Sequence, residues 1–317
     1  MSRPVRIVVA LGGNALEDKG LPPTAESQAI VVERTAKTLS DLSCGGYEMA
    51  VVHGNGPQVG RIILASEAAA EQTPAMPFDV CDAMSQGYIG YHLQQKLRAE
   101  LLRRGRDIPV VTVVTQMVVD AGDPAFENPT KPIGAFYDEK TARKLQAEKG
   151  YTMREDAGRG WRRVVASPKP KKIVEIGTLK TLWDTTIAIA CGGGGIPVVE
   201  EENHGLRGVP AVIDKDLAAQ LLAVEMEADV LLILTEVDAV SIRFRQPDEK
   251  KLGQVTVDEM DRYCQEGHFA AGSMLPKVQA AMEFVRKNPR GKAIITSLTR
   301  GLDALEGKCG TTVIGGI

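Results

Sequence analysis

The chain has 317 residues, and its 38 Lys and Arg residues nearly balance its 41 Asp and Glu residues, for a net charge of −3. This balance and an aromatic content of 4% exclude a surface that coats nucleic acid or stacks unpaired bases. The length fits one large α/β domain or two smaller ones, and without a signal-peptide or membrane-spanning pattern we expect a cytosolic protein.

Short apolar runs bounded by glycine or proline alternate along the chain with longer segments of helical periodicity. Strands are predicted at 5–11, 47–53, 109–115, 186–191, 230–235 and 292–297, and helices at 25–43, 57–72, 84–104, 216–227 and 274–287. This alternation is typical of a parallel sheet covered by helices. Because ligands of such sheets bind beyond the carboxyl ends of strands, the glycine loops after the first two strands are candidate binding sites.

These two loops share the order strand, glycines, helix. They contain Gly12, Gly13 and Asn14 in the first loop and Gly54, Asn55 and Gly56 in the second. Without β-carbons, backbone N–H groups can approach an oxyanion closely, and a helix N-terminus adds partial positive charge. The alternative for each loop is an ordinary tight turn. The P-loop pattern GxxxxGK[ST] is absent, and the spacing of the glycines in "HGNGPQVG" is not GxGxxG.

Residues 120–180 interrupt the alternation of strands and helices. The interval contains five prolines and a possible hairpin around "GWRRVVASP". It is predicted to be an excursion from the sheet, either a functional lid or a plain surface insertion. Within it, Lys131 lies between two prolines whose fixed φ angles would pre-position its ammonium group.

A third glycine cluster, "CGGGG" at 191–195, follows the predicted strand that ends in "TIAIA". Four consecutive glycines carry a large entropic cost on folding, which favours a place where the backbone approaches a neighbour closely. A flexible connector is the alternative, but strands rather than Ser/Gly-rich sequence flank the cluster.

Two further lysines stand at the starts of predicted helices. Lys215 lies between Asp214 and Asp216, and Lys277 begins the helix "LPKVQAAMEFV". A cation is unfavourable at the positive end of a helix, so Lys215 indicates a nearby anion or a partner carboxylate such as Asp216. Asp214 has the ordinary position of a helix cap, and a solvated side chain remains the alternative for Lys277.

The strand "LLILT" is followed by Glu236 and Asp238, which form either a polar edge or the rim of a nucleotide site. The four histidines show no metal-binding spacing. They also lack an obvious nucleophile partner such as a GxSxG elbow, so a hydrolase triad is not indicated. We expect His53 to be packed or hydrogen-bonded. Five cysteines without a CxxC pair indicate reduced, mostly buried thiols.

Taken together, these segments resemble the carbamate kinases of the amino acid kinase superfamily. The matching stretches are "LGGNAL", "HGNGPQVG", "TQMVVDAGDPAFENPTKPIG", "RRVVASPKPKKIVE", "ACGGGGIPV", "AVIDKDLAAQLLA", "LLILTEVDAV" and "GSMLPKVQAAMEFV". The resemblance implies one three-layer αβα domain over residues 1–317 with a mostly parallel central sheet. It also implies a small protruding subdomain at about 120–180 and a homodimer.

The resemblance also assigns the charged residues of the site. Most members of the superfamily place a lysine where this chain has Ala10, whereas carbamate kinases bring one from the protruding subdomain, which by the match is Lys131. Lys131 and Lys215 would then neutralise the transferring phosphoryl group, Lys277 would bind nucleotide phosphates, and Asp216 would orient the lysines. The glycines and asparagines of the two loops would form the oxyanion cradle, and Asp214, Val237, Asp238, Ala239 and Met274 would join Lys215 and Lys277 around the nucleotide.

The implied reaction is reversible phosphoryl transfer between ATP and carbamate, which gives ADP and carbamoyl phosphate and runs toward ATP in the arginine deiminase pathway of arginine metabolism. Mg²⁺ would arrive with the nucleotide, and no protein metal ligand is assigned.

Two positions depart from the pattern of the carbamate kinases: Glu236 replaces Asp or Asn, and Ala135 replaces proline. The alternatives are another small-carboxylate kinase of the same fold and a nucleotide-binding module without catalysis.

Overall fold

The computed structural model describes residues 3–18, 20–156 and 158–316. Its α-helices are α1 (Ala25–Cys44), α2 (Gly56–Ala68), α3 (Phe78–Arg103), α4 (Glu139–Lys149), α5 (Ile176–Leu182), α6 (Lys215–Glu225), α7 (Val257–Gln265), α8 (Met274–Lys287) and α9 (Gly301–Leu305). The strands are β1 (Arg6–Leu11), β2 (Glu48–His53), β3 (Val110–Thr112), β4 (Gln116–Val119), β5 (Lys131–Tyr137), β6 (Met153–Glu155), β7 (Trp161–Val165), β8 (Pro170–Ile173), β9 (Ile187–Ile189), β10 (Ile196–Glu200), β11 (Leu206–Gly208), β12 (Val230–Thr235), β13 (Ser241–Ile242), β14 (Lys250–Lys251), β15 (Gln254–Thr256), β16 (Lys292–Ser297) and β17 (Thr311–Ile314).

The central sheet has eight strands in the order β15-β17-β16-β12-β1-β2-β9-β3. Every pair from β16 to β3 is parallel, whereas β17 runs antiparallel to β16. Strand β1 is buried on both faces: Val8 and Ala10 pack in the core with α6 and α8, and Val9 and Leu11 pack in the opposite core with α1 and α3. The prediction of a three-layer αβα fold with a mostly parallel sheet is therefore confirmed.

Parallel strands that are buried on both faces read as continuous apolar runs, which is why the sequence revealed them. The predicted helix 274–287 has the bounds of α8, but α3 begins six residues earlier than predicted, at Phe78. The predicted strand 186–191 is shorter in the structure because Cys191 has a φ of 50° and leaves the extended conformation. Helices α4, α5, α7 and α9 are absent from the predicted set, although α7 begins with a capping box formed by Thr256 and Glu259.

The excursion at 120–180 contains regular structure of its own. Strands β5, β7 and β6 form a separate antiparallel sheet next to α4, and β7 supplies the central part of "GWRRVVASP" and pairs antiparallel with β6. The strands β4 and β8 belong to a second small sheet of order β11-β10-β4-β8. A small apolar cluster of Val59, Ile63, Cys81, Ile133, Val165 and Val212 connects β5 and β7 to α2 and α3.

Close backbone packing also fixes where β5 meets α2. A β-carbon on Gly60 of α2 would lie 2.2 Å from the Cα atom of Gly134, so only glycine permits this approach. Gly134 has a φ of +68° and lies at a register shift in β5 that includes Ala135. The start of β5, where Lys131 lies, is therefore held in place by backbone contacts as well as by side chains.

The sequence predicts reduced, mostly buried thiols and no membrane-spanning helix, and the structure can be compared with both predictions. All five cysteines are free, and Cys81 and Cys191 are buried, but Cys44 is exposed and the other two are intermediate, so the expectation of mostly buried thiols is only partly confirmed. Within the described part of the chain, no helix has both the length and the apolar character that a bilayer crossing requires.

Candidate active site

The amino end of α6 is the point at which distant charged residues meet. Asp214 caps this helix, because its Oδ1 atom accepts a hydrogen bond of 2.9 Å from the backbone N–H of Asp216. Its Oδ2 atom accepts a bond of 2.7 Å from Nζ of Lys131, which is 83 residues away in sequence. The capping role predicted for Asp214 is confirmed, and the same carboxylate anchors the lysine of β5.

Asp216 holds the other two lysines. Nζ of Lys215 donates to Oδ1 of Asp216 at 2.6 Å, and Nζ of Lys277 donates to Oδ2 at 3.0 Å. The Asp216 side chain is 3% exposed, and those of Lys215 and Lys277 are 13% and 15% exposed. The predicted pairing of Lys215 with Asp216 is therefore confirmed, and the helix start that carries Lys277 joins the same cluster.

This cluster, the α6 charge cluster, consists of Lys131, Lys215, Lys277, Asp214 and Asp216. Within this cluster three ammonium groups face two carboxylates, and Glu236 acts electrostatically on Lys277 from outside it. The N-terminus of a helix adds partial positive charge through its backbone N–H groups. The α6 charge cluster is consequently suited to binding an anion such as a phosphoryl group.

Burial and neighbouring charges set the pKa values in the α6 charge cluster. Burial disfavours ionised Asp214 and Asp216, but the adjacent lysines outweigh this effect and hold both pKa values below the usual range. Burial lowers the pKa of Lys215, and Asp216 offsets this only in part. For Lys277, burial is outweighed by Asp216, so its pKa is raised.

The first glycine loop lies against the carboxyl end of β12. The N–H group of Gly12 donates to the carbonyl oxygen of Leu234 at 2.9 Å, and a β-carbon on Gly12 would lie 2.9 Å from that oxygen. Nδ2 of Asn14 donates to the carbonyl oxygen of Thr235 at 3.1 Å. A β-carbon on Gly13 would meet no atom within 4 Å, so the backbone at Gly13 faces open space.

The second glycine loop contacts the α6 charge cluster directly. A β-carbon on Gly54 would lie 3.3 Å from Cδ of Lys215, so the missing side chain leaves room for the lysine stem. Gly56 begins α2, near the carbonyl oxygen of Pro132. The side chain of Asn55 is buried and donates to Asp82 and Ser85, so any contact of Asn55 with a ligand must use its backbone.

The third glycine cluster confirms the predicted close approach of the backbone. Gly193, Gly194 and Gly195 have φ values of 68°, 101° and 87°. A β-carbon on Gly193 would lie 2.2 Å from Nδ2 of Asn55, and one on Gly192 would lie 2.6 Å from Nε2 of His53. His53 is fully buried, with Nδ1 at 2.9 Å from the carbonyl oxygen of Gly54, and burial lowers its pKa to about 4.

A cavity of about 890 Å³ opens beside the α6 charge cluster and the first glycine loop. Of the residues predicted around the phosphates and the nucleotide, its lining includes Gly12, Gly13, Asn14, Lys215, Val237, Ala239, Met274 and Lys277. Glu236 also lines the cavity, which favours the rim of a nucleotide site over a plain polar edge. Asp238 is outside the lining, and its backbone carbonyl accepts a hydrogen bond of 3.1 Å from Thr296.

Several cavity residues were missed by the sequence reasoning. Arg159 follows β6 and lies over the ring of Phe136, while Phe244 and Phe269 provide aromatic surface. Arg159 belongs to "DAGRG" in the excursion, and an arginine beside glycines was the available signal. Nothing in the local pattern shows that these segments face the loop after β1, because that depends on how separate sheets pack.

The cavity offers a limited donor set for a metal ion. Among residues 3–18, 20–156 and 158–316, no group of three or more His, Cys, Asp and Glu side chains is arranged to hold a metal. Mg²⁺ in kinase sites commonly takes one or two carboxylates and completes its shell with phosphate and water oxygens. Glu236 supplies a carboxylate on the cavity wall, so the residues fit a Mg²⁺ ion that arrives with a nucleotide.

The family model for the amino acid kinase family matches residues 5–297. The chain belongs to the amino acid kinase family. The matched range includes both glycine loops and all five members of the α6 charge cluster.

Within this family, relatives that match over nearly their full length are named carbamate kinases. A carbamate kinase from Clostridium perfringens is 54% identical over 314 residues, which cover 98% of this chain and 100% of the relative. A carbamate kinase from Pyrococcus horikoshii is 53% identical over 313 residues, which cover 98% and 99%. A solved carbamate kinase from Giardia lamblia, bound to AMP-PNP, is 46% identical with a TM-score of 0.91, and the match covers 100% of both chains.

We expect the replacement Asp216→Ala to destabilise the protein by about 3–5 kcal/mol, because it leaves Lys215 and Lys277 buried without their carboxylate. The measurement is urea-induced unfolding at neutral pH. The matched control is Glu200→Ala, which breaks the exposed ion pair with Lys172 and should cost less than about 1 kcal/mol. An equal loss of stability in the two variants would contradict the central role of Asp216.

Proposed function

We propose that the protein is a carbamate kinase that transfers the γ-phosphoryl group of ATP reversibly to an oxygen of carbamate, giving ADP and carbamoyl phosphate. The observation that carries the proposal is the α6 charge cluster, in which lysines from β5, α6 and α8 meet beside two glycine loops. Relatives that share more than half of its residues and nearly its full length are named carbamate kinases.

The nucleotide occupies the cavity beside the first glycine loop. Lys215 and Lys277 lie at its phosphate end, and Val237, Ala239 and Met274 line it together with aromatic residues. A structure of the Giardia lamblia carbamate kinase contains AMP-PNP, an ATP analogue, which supports a nucleotide site in this fold. Asp238 lies outside the cavity lining, so no direct contact of this residue with the nucleotide is proposed.

Catalysis rests on positioning and charge rather than on a covalent intermediate. In phosphoryl transfer, negative charge is spread over the equatorial oxygens and over the attacking and leaving oxygens. Lys131 and Lys215 neutralise the transferring group, Lys277 binds nucleotide phosphates, and Asp216 orients the two lysines that it contacts. Backbone N–H groups of the two glycine loops, Gly12–Asn14 and Gly54–Gly56, bind the oxyanions, because glycine permits close approach; the N–H of Gly12 is excepted, since it donates to Leu234. A Mg²⁺ ion bound to the nucleotide would add Lewis-acid stabilisation of the phosphate oxygens.

Another small-carboxylate kinase of the same fold is the nearest alternative. Ala10 is fully buried in the core with α6, so β1 provides no cation at the place where most of the superfamily carries a lysine. Lys131, held at 2.7 Å from Asp214, supplies the missing charge from β5, which favours the carbamate kinase arrangement. A module that only binds nucleotide is less favoured, since it has little need for three lysines around the transferred group.

The same proposal includes the subdomain that carries Lys131, the location of the enzyme and the direction of the reaction. The sheet of β5, β7 and β6 with α4 is the protruding subdomain of a single amino acid kinase domain, and it carries Lys131 to the site. The enzyme works in the cytoplasm, in the direction of ATP synthesis from carbamoyl phosphate, within the arginine deiminase pathway.

The first test is a coupled assay of ATP formation from ADP and carbamoyl phosphate with Mg²⁺. We expect activity with carbamoyl phosphate and none in parallel assays of ATP consumption with acetylglutamate, aspartate or glutamate. A folded sample that is inactive with carbamoyl phosphate but active with one of the other substrates would establish the alternative kinase. Inactivity with every substrate, together with tight ATP binding, would favour the binding module.

The second test compares Lys131→Met and Lys215→Met with wild type in the same assay. Each replacement removes a charge that stabilises the transition state, so we expect kcat to fall about a hundredfold or more. Lys172→Met, at a lysine that is 63% exposed, is the control and should leave kcat unchanged. Near-wild-type turnover in either site variant would remove that lysine from the proposed mechanism.

The enzyme is also proposed to be a homodimer that pairs through α3. Val80, Met84, Tyr91 and Leu102 are 38–57% exposed and share one face of this helix, beside the edge strand β3. We expect sedimentation to show a dimer that Met84→Lys combined with Tyr91→Asp converts to a monomer. Val5→Asp, at an exposed apolar residue outside α3, should leave the dimer intact. A monomeric wild-type protein would refute this proposal.

A further inference from the structure

A buried carboxyl group lies behind the second glycine loop, outside the α6 charge cluster. Asp82 of α3 is 2% exposed, and its Oδ1 atom accepts a hydrogen bond of 2.7 Å from Nδ2 of Asn55. Its Oδ2 atom is buried without a hydrogen-bond partner among the described residues. Leaving a buried carboxyl oxygen unpaired is costly, so a retained Asp82 needs an explanation.

The side chain of Asn55, which donates to Asp82, is also held by other contacts. Nδ2 of Asn55 also donates to Oγ of Ser85 at 2.8 Å, and Oγ of Ser85 donates to the backbone carbonyl of Asp82 at 2.7 Å. The amide of Asn55 lies against Gly193, where a β-carbon would be only 2.2 Å from Nδ2. The side chain of Asn55 is thus clamped between α3 and the third glycine cluster.

Asn55 stands between Gly54 and Gly56, whose peptide groups have little intrinsic conformational preference. The orientation of these peptides therefore depends on where the Asn55 side chain is anchored. We propose that Asp82 is a positioning residue for carbamoyl phosphate binding, which acts through Asn55 to orient the backbone N–H groups of the second glycine loop. This inference rests on the proposed function, because it deepens the role of that loop.

The charge state of Asp82 fits this role. Burial raises the pKa of Asp82 well above its usual range, the bond from Asn55 lowers it, and Asp79 on the same helix raises it further. Burial and then Asp82 raise the pKa of the neighbouring Cys81 thiol on α3, and burial favours neutral His53 at the end of β2. The raised pKa favours the protonated acid, which accepts the bond from Asn55 without placing negative charge behind a loop that binds an anion.

The test compares Asp82→Asn with Asp82→Ala in the assay of ATP formation. Asparagine is isosteric, always neutral and able to accept the bond from Asn55, so Asp82→Asn should keep both kinetic constants within about threefold. Alanine leaves Asn55 without this acceptor, so KM for carbamoyl phosphate should rise about tenfold or more while KM for ADP changes little. Asp107→Asn, which changes an exposed carboxylate outside α3, is the control and should behave as wild type.

Two further measurements separate positioning from a general loss of folding. Ser85→Ala removes the second partner of Asn55 and should raise KM for carbamoyl phosphate in the same selective way, which covers the case in which Asp82→Ala does not fold. Infrared difference spectra between wild type and Asp82→Asn should show the carbonyl band of a protonated carboxylic acid. An unchanged KM in Asp82→Ala, or losses in Asp82→Asn as large as in Asp82→Ala, would overturn the inference.

Failure of the proposed function is recognisable separately. In that case wild-type protein makes no ATP from carbamoyl phosphate, and the role of Asp82 is judged by calorimetric binding of inorganic phosphate to the same variants. Weaker phosphate binding in Asp82→Ala but not in Asp82→Asn would support the positioning role, and equal binding in all variants would overturn it.

Discussion

The pairing of two carboxylates with three lysines at the amino end of α6 is the constraint on which the site depends. Lysines repel one another and are disfavoured at the positive end of a helix, so they cannot gather there without Asp214 and Asp216. Each carboxylate accepts bonds that fix ammonium groups from other elements. The outcome is a centre in which three ammonium groups lie at a helix N-terminus, where a phosphoryl group would be favoured.

The sheet and its glycines determine what this centre faces. Strands β1, β2 and β12 are adjacent and parallel, so their carboxyl ends lie at one edge, next to the start of α6. Gly12 permits contact with the end of β12, and Gly54 leaves room for the stem of Lys215. Backbone donors and ammonium groups therefore surround the same space, which is the arrangement that phosphoryl transfer requires.

The excursion adds the charge that β1 lacks. Because Ala10 is buried on the side of the sheet that packs against α6, a cation for the site must come from elsewhere. Strand β5 provides it at its first residue, and the contact between Gly60 and Gly134 fixes how this strand meets α2. The buried side chain of Asp82, which accepts a hydrogen bond from Asn55, then supports the adjacent loop. The charge at the site thus depends on the uncharged residue Ala10 in β1 as well as on the lysine that β5 supplies.

Local sequence determined six of the eight strands of the central sheet, five helices and the glycine loops, because apolar periodicity and missing β-carbons act over a few residues. It also identified Asp214 as a cap and Lys215 as a residue in need of a carboxylate, since both effects arise within one helical turn. Only the tertiary structure decided that Lys131 meets Asp214 across 83 residues, that Arg159 lines the cavity and that Asn55 turns away from it toward Asp82. These contacts depend on the packing of separate sheets and on burial, neither of which a local pattern encodes.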